Sequence, residues 1–209
     1  EAKRWREMLE EAEIRFGLPG MTLRHEILVE HPNAVRCLGE IVKACENRLA
    51  AAHFGCYDYL SAMQVPAPAQ SLDHPYATLA RWTMQQVMLP IGVAVSDGVY
   101  SQLPTGDDAA ARLEAFEGHK AQVLRAIGEG IYCGWDVHPG LLLRRSAVLY
   151  EDFEKRLPEV PRGYKAFLDA RTSATLAGTQ FDDAATVEGL MVFLRRGISC
   201  GAFTEKDIA

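Results

Sequence analysis

The stretch RLAAAHFGCYDY, residues 48–59, starts as an apolar run and ends on a carboxylate, Asp58, between two tyrosines. A short apolar run closed by Gly55 reads as a buried strand. A carboxylate just beyond the end of such a strand needs a reason, and the neighbouring segments supply one.

On either side of this stretch the pattern repeats. Residues 1–20 have the spacing of an amphipathic helix, with Trp5, Met8, Leu9 and Ala12 on one face and Gly17 to Gly20 as its stop. MTLRHEILVEHP, residues 21–32, reads as a strand stopped by Pro32. Residues 33–48 have helical spacing at Val35, Leu38, Val42 and Cys45, with Asn33 as the expected N-cap. After the opening stretch come a proline-rich loop (65–75), a helix (76–89) and a strand, PIGVAVSDG (90–98). A helix follows from about 108 to 127, with Asp107 or Asp108 as its cap. The strand GIYCGWDVHP (130–139) and the helix LLLRRSAVLYEDFEKRL (141–157) close the series.

Four strands alternating with helices imply a parallel sheet with right-handed crossovers. The polar residues Glu30, Asp58, Asp97 and His138 all fall at carboxyl ends of strands. In a (β/α) barrel that end is the catalytic rim. Four βα units do not close an eight-stranded barrel. The expected organisation is half a barrel in residues 1–157 and a helical extension without strands in 158–209, with Gly178 and Gly197 as helix stops.

Composition fits a globular chain: 48% of the 209 residues are hydrophobic and 24% charged. A net charge of −6 offers no attraction for nucleic acid or an anionic membrane surface. No apolar run reaches the roughly 18 residues a membrane span needs. The five cysteines lack a CxxC pairing and read as reduced thiols of a cytoplasmic protein.

Glu30 and Asp58 stand one strand–helix–strand unit apart, and neighbouring strands lie about 4.8 Å apart. Two carboxylates so placed can share a hard divalent cation, Mg²⁺ or Mn²⁺, with water and substrate oxygens completing the shell. The same two residues also suit a plainer role as solvated loop acids.

Four segments, in order, resemble the HpcH/HpaI aldolase and citrate lyase β-subunit superfamily: VEH (29–31), FGCYDY (54–59), DGVY (97–100) and GWDVHP (134–139). The likeness is strong over about residues 1–150 and weak in the tail, and QSLDHP (70–75) adds to it. It implies a (β/α)8 barrel of the phosphoenolpyruvate/pyruvate type, of which this chain covers about strands 5–8. It implies that Glu30 and Asp58 hold Mg²⁺ and that the chemistry is carbon–carbon cleavage or formation. The substrate class would be a 2-oxo acid or a malyl-, citramalyl- or citryl-type acyl-CoA. Gly55 would keep space beside the metal, and Asp97 and His138 would contact substrate. Asp182, in DDA where the family has an Asp-x-Pro, would be an acid/base offered to a neighbouring subunit. Helix capping by Asp182 or Asp183 is the competing role. Homo-oligomers, trimeric or hexameric, or pairing with an N-terminal half-barrel chain are the expected assemblies.

The remaining polar residues have simpler expected roles. His31 replaces the family's Thr and reads as a loop residue; His53 reads as a satisfied core or barrel-lining residue. Cys56 has no paired base and Arg144 and Arg145 read as helix surface. The first four strands of such a barrel have no counterpart ahead of Glu1, so the chain is expected to be a C-terminal part or one piece of a two-chain barrel, inactive alone. The alternative function is a catalytically silent relative that binds a metabolite or serves in assembly.

Overall fold

The computed structural model describes residues 1–160, 175–177, 180–182 and 184–207. They fall into two compact units, residues 1–142 and 143–209. In the first unit α1 (Ala2–Phe16), β1 (His25–Val29), α2 (Pro32–Arg36), α3 (Leu38–Cys45), β2 (Leu49–Phe54) and α4 (Cys56–Ala62) are followed by α5 (Pro75–Met88), β3 (Ala94–Val99), α6 (Ala109–Gly128) and β4 (Cys133–Trp135). The four strands form one parallel sheet in the order β1-β2-β3-β4. The alternation read from the sequence is therefore the alternation of the fold.

The two faces of the sheet differ. Val29, Ala52, Phe54 and Val95 are buried with Leu38, Leu60, Ala77, Met84 and Met88 in one core. Burial of each large side chain there stabilises the unit by roughly 1.5–3 kcal/mol. The alternate residues face outward: Leu28, Trp135 and, beyond β4, Val137 are 41%, 44% and 50% exposed. Parallel sheets normally have both faces covered. Here one face is open, and β1 and β4 form its two edges.

Three His-Pro pairs start helices. Pro32, Pro75 and Pro139 open α2, α5 and α7 (Pro139–Arg156). The preceding imidazole accepts a backbone N–H two residues on each time: His31 Nδ1 from Asn33 at 3.2 Å, His74 Nδ1 from Tyr76 at 3.2 Å, His138 Nδ1 from Gly140 at 3.1 Å. Pro32 and Pro139 therefore start helices rather than stop strands, because a proline at the first helical position gives up no hydrogen bond. His31, not Asn33, is the cap of α2. The helix expected over 33–48 is broken at Cys37, whose φ of −102° and ψ of 15° fall between α2 and α3. Asp108, one of the two expected caps, accepts from Ala110 N at 2.8 Å.

α1 ends at Gly17 with φ 63°, where its N–H meets the carbonyls of Glu13 and Ile14. Glu13 is 3% exposed and Arg48, which precedes β2, is 4% exposed. Arg48 donates to both carboxylate oxygens of Glu13, at 2.7 and 2.8 Å. Leu23 N–H adds a third bond at 2.7 Å. This pair fastens α1 beneath the sheet.

The second unit holds the rest of α7, an antiparallel hairpin of β5 (Thr175–Ala177) and β6 (Gln180–Asp182), and α8 (Ala184–Cys200). The hairpin corrects the expectation of a wholly helical tail. The run TSATLAGTQFD carries β-branched threonines and a Gly-Thr link of two residues, a length that suits a tight hairpin. Phe153, Phe193 and Phe203 form the aromatic centre of this unit, with ring centroids 5.0 to 5.9 Å apart. No described helix is long and apolar enough to cross a membrane.

The hydrogen bonds from Arg48, then those from the Leu23 and Met21 N–H groups, hold the Glu13 carboxyl at about 2, well below its ordinary 4.5. A depressed carboxyl stabilises the fold above its unfolded pKa and loses that contribution as pH falls toward the folded value. Thermal unfolding followed by circular dichroism should therefore show the wild type losing stability between pH 4.5 and about 2. Glu13→Gln should melt lower at neutral pH and lose less over that window. Equal slopes in the two proteins would contradict this role.

Candidate metal centre

β1 ends at Val29, and Glu30 is the next residue. β2 ends at Phe54, and Gly55 follows. The ladder runs on past both strands, with Gly55 N–H donating to Val29 O at 3.0 Å. The two chains approach so closely that a Cβ on Gly55 would lie 2.3 Å from Glu30 Cβ and 3.2 Å from Glu30 Oε2. Glycine is required here by the neighbour, since its φ of −87° is open to any residue. The space beside the carboxylate that the sequence predicts is thus a contact: Gly55 lies directly against Glu30.

Asp58 does not end the strand, as expected, but stands four residues later as the third residue of α4. Gly55 is the N-cap of that short helix, and its carbonyl accepts from Tyr59 N at 3.0 Å. Cα–Cβ bonds on a helix tilt toward its N-terminus, which for α4 is the Gly55 end. Asp58 is exposed and Glu30 partly so. An acid in the first turn is also favoured by the helix dipole, which gives Asp58 a structural reason beside a ligating one.

Among the described residues no three His, Cys, Asp or Glu side chains converge as a metal cluster. Two carboxylates do not make a zinc site, which takes three or four nitrogen or sulfur ligands. They do match Mg²⁺, which keeps several waters and binds through one or two carboxylates plus substrate oxygens. The donor set fits the ion that the sequence predicts.

Asp97 is not a rim acid. It is 3% exposed, it pairs with Arg125, and Arg81 Nε lies 3.6 Å from its Oδ1. Arg81, fully buried, also donates to Leu72 O at 2.7 Å and to both Glu129 oxygens. Arg125 reaches Asp73 of the QSLDHP loop at 3.2 Å. Asp97 therefore ties β3 to α5, α6 and that loop, because four charges at the centre of the fold must be mutually paired to be buried. His138 spends Nδ1 on capping α7, which makes Nε2 the nitrogen that can carry its proton. Cys56 is buried, its thiol donates to Ser71 O at 3.4 Å, and burial pushes it up to about 12. A thiol held protonated in this way is no nucleophile. All five cysteines are free. Asp182 is the last residue of β6, and Asp183 lies outside the described residues.

Two features were missed in the sequence. His119 on α6 is buried and meets Asp136, just past β4, at 2.8 Å. His53 on β2, expected in the core or lining a barrel, lies on the face opposite the core, and its bond to Glu26 of β1 at 2.7 Å was not foreseen. Strand alternation signals the second pair: Glu26 and His53 both fall on the face opposite the apolar residues of their strands.

Residues 1–209, the whole chain, match the model of the family described as Domain of unknown function (DUF6986), and the chain belongs to that family. It is similar to malate synthase of Oryza sativa subsp. japonica, 29% identical over 215 residues that cover 95% of this chain and 37% of that protein. Its fold is similar to that of a citrate lyase from Burkholderia xenovorans LB400, with a TM-score of 0.75, 20% identity, and coverage of 97% of this chain and 61% of that one. It is also similar to the protein CitE from Mycobacterium tuberculosis, solved in complex with magnesium, acetoacetate and coenzyme A. There the TM-score is 0.65 and the identity 19%, over 81% of this chain and 59% of that one. The fold is thus shared with proteins named citrate lyase and CitE. The chain spans only part of each of these relatives.

Gly55→Ala should destabilise the first unit by about 1–3 kcal/mol through overpacking and displace the Glu30 carboxylate. A urea denaturation midpoint equal to that of the wild type would show that the two strand ends are free to part.

Proposed function

We propose that this member of the DUF6986 family is the metal-binding part of a (β/α)8 barrel, strands 5 to 8, that makes or breaks a carbon–carbon bond in a 2-oxo acid or a 3-hydroxyacyl-CoA. The observation that carries this reading is the contact of Glu30 with Gly55, one helical turn from Asp58. Magnesium bound there would supply Lewis acidity toward substrate oxygens. Glu30, just past β1, and Asp58, on the first turn of α4 after β2, would hold it. Gly55, having no side chain, lets the carboxylate stand over the end of β2. Asp97, Arg81, Arg125 and Glu129 fix the positions of β3 and the QSLDHP loop beneath the rim. The names of the relatives support this chemistry: a malate synthase, a citrate lyase, and a protein solved with magnesium, acetoacetate and coenzyme A.

The open sheet face and a cavity of about 490 Å³ along the free edge of β1 support the barrel reading. Trp5, His25, Leu28 and Glu30 line that cavity. We assign it to the strand of a preceding half-barrel, in the same polypeptide or another, which would also cover Leu28, Trp135 and Val137. Asp182 would serve as acid/base toward a neighbouring subunit, and Asp182→Asn should then lower turnover while leaving metal affinity unchanged.

Calorimetric titration with Mg²⁺ or Mn²⁺ tests the centre. Glu30→Gln and Asp58→Asn should each weaken binding by at least about tenfold, since even outer-shell partners are worth 10–100-fold. Wild-type affinity in either variant removes that residue from the site. With binding established, Mg²⁺-dependent cleavage of 4-hydroxy-2-oxo acids and malyl-type thioesters separates an enzyme from a silent metabolite-binding or assembly subunit.

A further inference from the structure

β1 and β2 are in regular register from Glu26↔Ala51 through Leu28↔His53 to Val29↔Phe54. The contact between Glu30 and the Cβ position of Gly55 extends that register by one more pair. Glu26, Leu28 and Glu30 therefore share the open face of the sheet with Ala51, His53 and Gly55. His53 stands on the same strand and the same face as Gly55, two residues below it, about 6.6 Å at the usual strand rise. Its Nε2 lies 2.7 Å from Glu26 Oε2, and the side chains are 31% and 56% exposed. The Trp135 ring of β4 lies 6.2 Å from the imidazole, centroid to centroid. Among the described residues Glu26 is the charged group bound to it.

We propose, building on the metal-centre reading above, that His53, oriented by Glu26, is the proton-transfer residue of this site for a 2-oxo acid substrate. The glutamate oxygen can only accept, so Nε2 carries the hydrogen and donates it to Glu26. Nδ1 is then left with a free lone pair on the open face, below the two metal-holding carboxylates. This is the logic of a carboxylate that fixes the tautomer of a histidine base. In the cleavage direction Nδ1 takes the proton of the substrate hydroxyl. The O–H electron pair becomes the new carbonyl bond, and the broken carbon–carbon pair stays on the 2-oxo acid fragment as its enolate. The enolate carbon then takes the proton back from the imidazolium, so the histidine ends as it began.

The test is a half-reaction that needs no knowledge of the full substrate, run on the chain together with the preceding half-barrel: exchange of the methyl protons of pyruvate with D₂O in the presence of Mg²⁺, followed by proton NMR. His53→Gln should slow exchange by roughly 100-fold or more, the usual scale of general acid–base catalysis, with Mn²⁺ affinity within about twofold of wild type. Glu26→Ala should slow it less, and the ¹⁵N shifts of the His53 ring should change from the Nε2–H tautomer to a mixture. Exchange in His53→Gln at the wild-type rate overturns the proposal, and so does a wild type that binds Mn²⁺ yet exchanges nothing. Loss of exchange together with metal affinity would assign His53 to the metal shell and overturn it as well. A wild type that binds no Mn²⁺ refutes the metal centre itself and with it this inference.

Discussion

The structure depends on one close approach. Glu30 and Gly55 lie side by side just past the ends of two parallel strands, so close that a Cβ on Gly55 would fall 2.3 Å from Glu30 Cβ. That contact sets the spacing of the strand ends, stands the Glu30 carboxylate over β2, and starts α4 so that Asp58 comes round on its first turn. The ion pair of Glu13 with Arg48 at the opposite end of β2 keeps α1 in place below it.

Charge is distributed unequally around this axis. On the helix side of the sheet buried Asp97 and Arg81 and partly buried Arg125 and Glu129 neutralise one another. On the open side Glu26 and His53 remain exposed beside Leu28 and Trp135. Buried charges are tolerated only when paired, so the first group serves architecture. The second group lies on a face that a parallel sheet does not normally leave bare. The proposed proton-transfer pair and Glu30 would then lie on a face that a barrel would enclose.

Much of this was legible in the sequence. The runs HEILV, LAAAHF and AVSDGV announced strands through their small and β-branched residues, and their regular spacing announced the parallel order. Glu30 and Asp58 stood out because carboxylates follow apolar runs. Other features were hidden for physical reasons. Asp97 follows an apolar run just as Asp58 does, and only the arrival of Arg81 and Arg125 from distant helices distinguishes a buried ion pair from a rim acid. Pro32 and Pro139 looked like strand stops, since nothing local reveals that an imidazole will cap the helix each proline begins. His53 in an apolar run suggested core or barrel lining, because the run does not say which face stays uncovered. The β5–β6 hairpin was missed because three-residue strands are too short to establish a period of two.

The most direct measurement is a crystal structure of the chain grown with Mn²⁺ and pyruvate, using the anomalous signal of manganese. A manganese peak is expected between the Glu30 and Asp58 carboxylates, with the remaining positions filled by water and substrate oxygens. An anomalous peak elsewhere, or Glu30 and Asp58 both directed away from any bound metal, would contradict it.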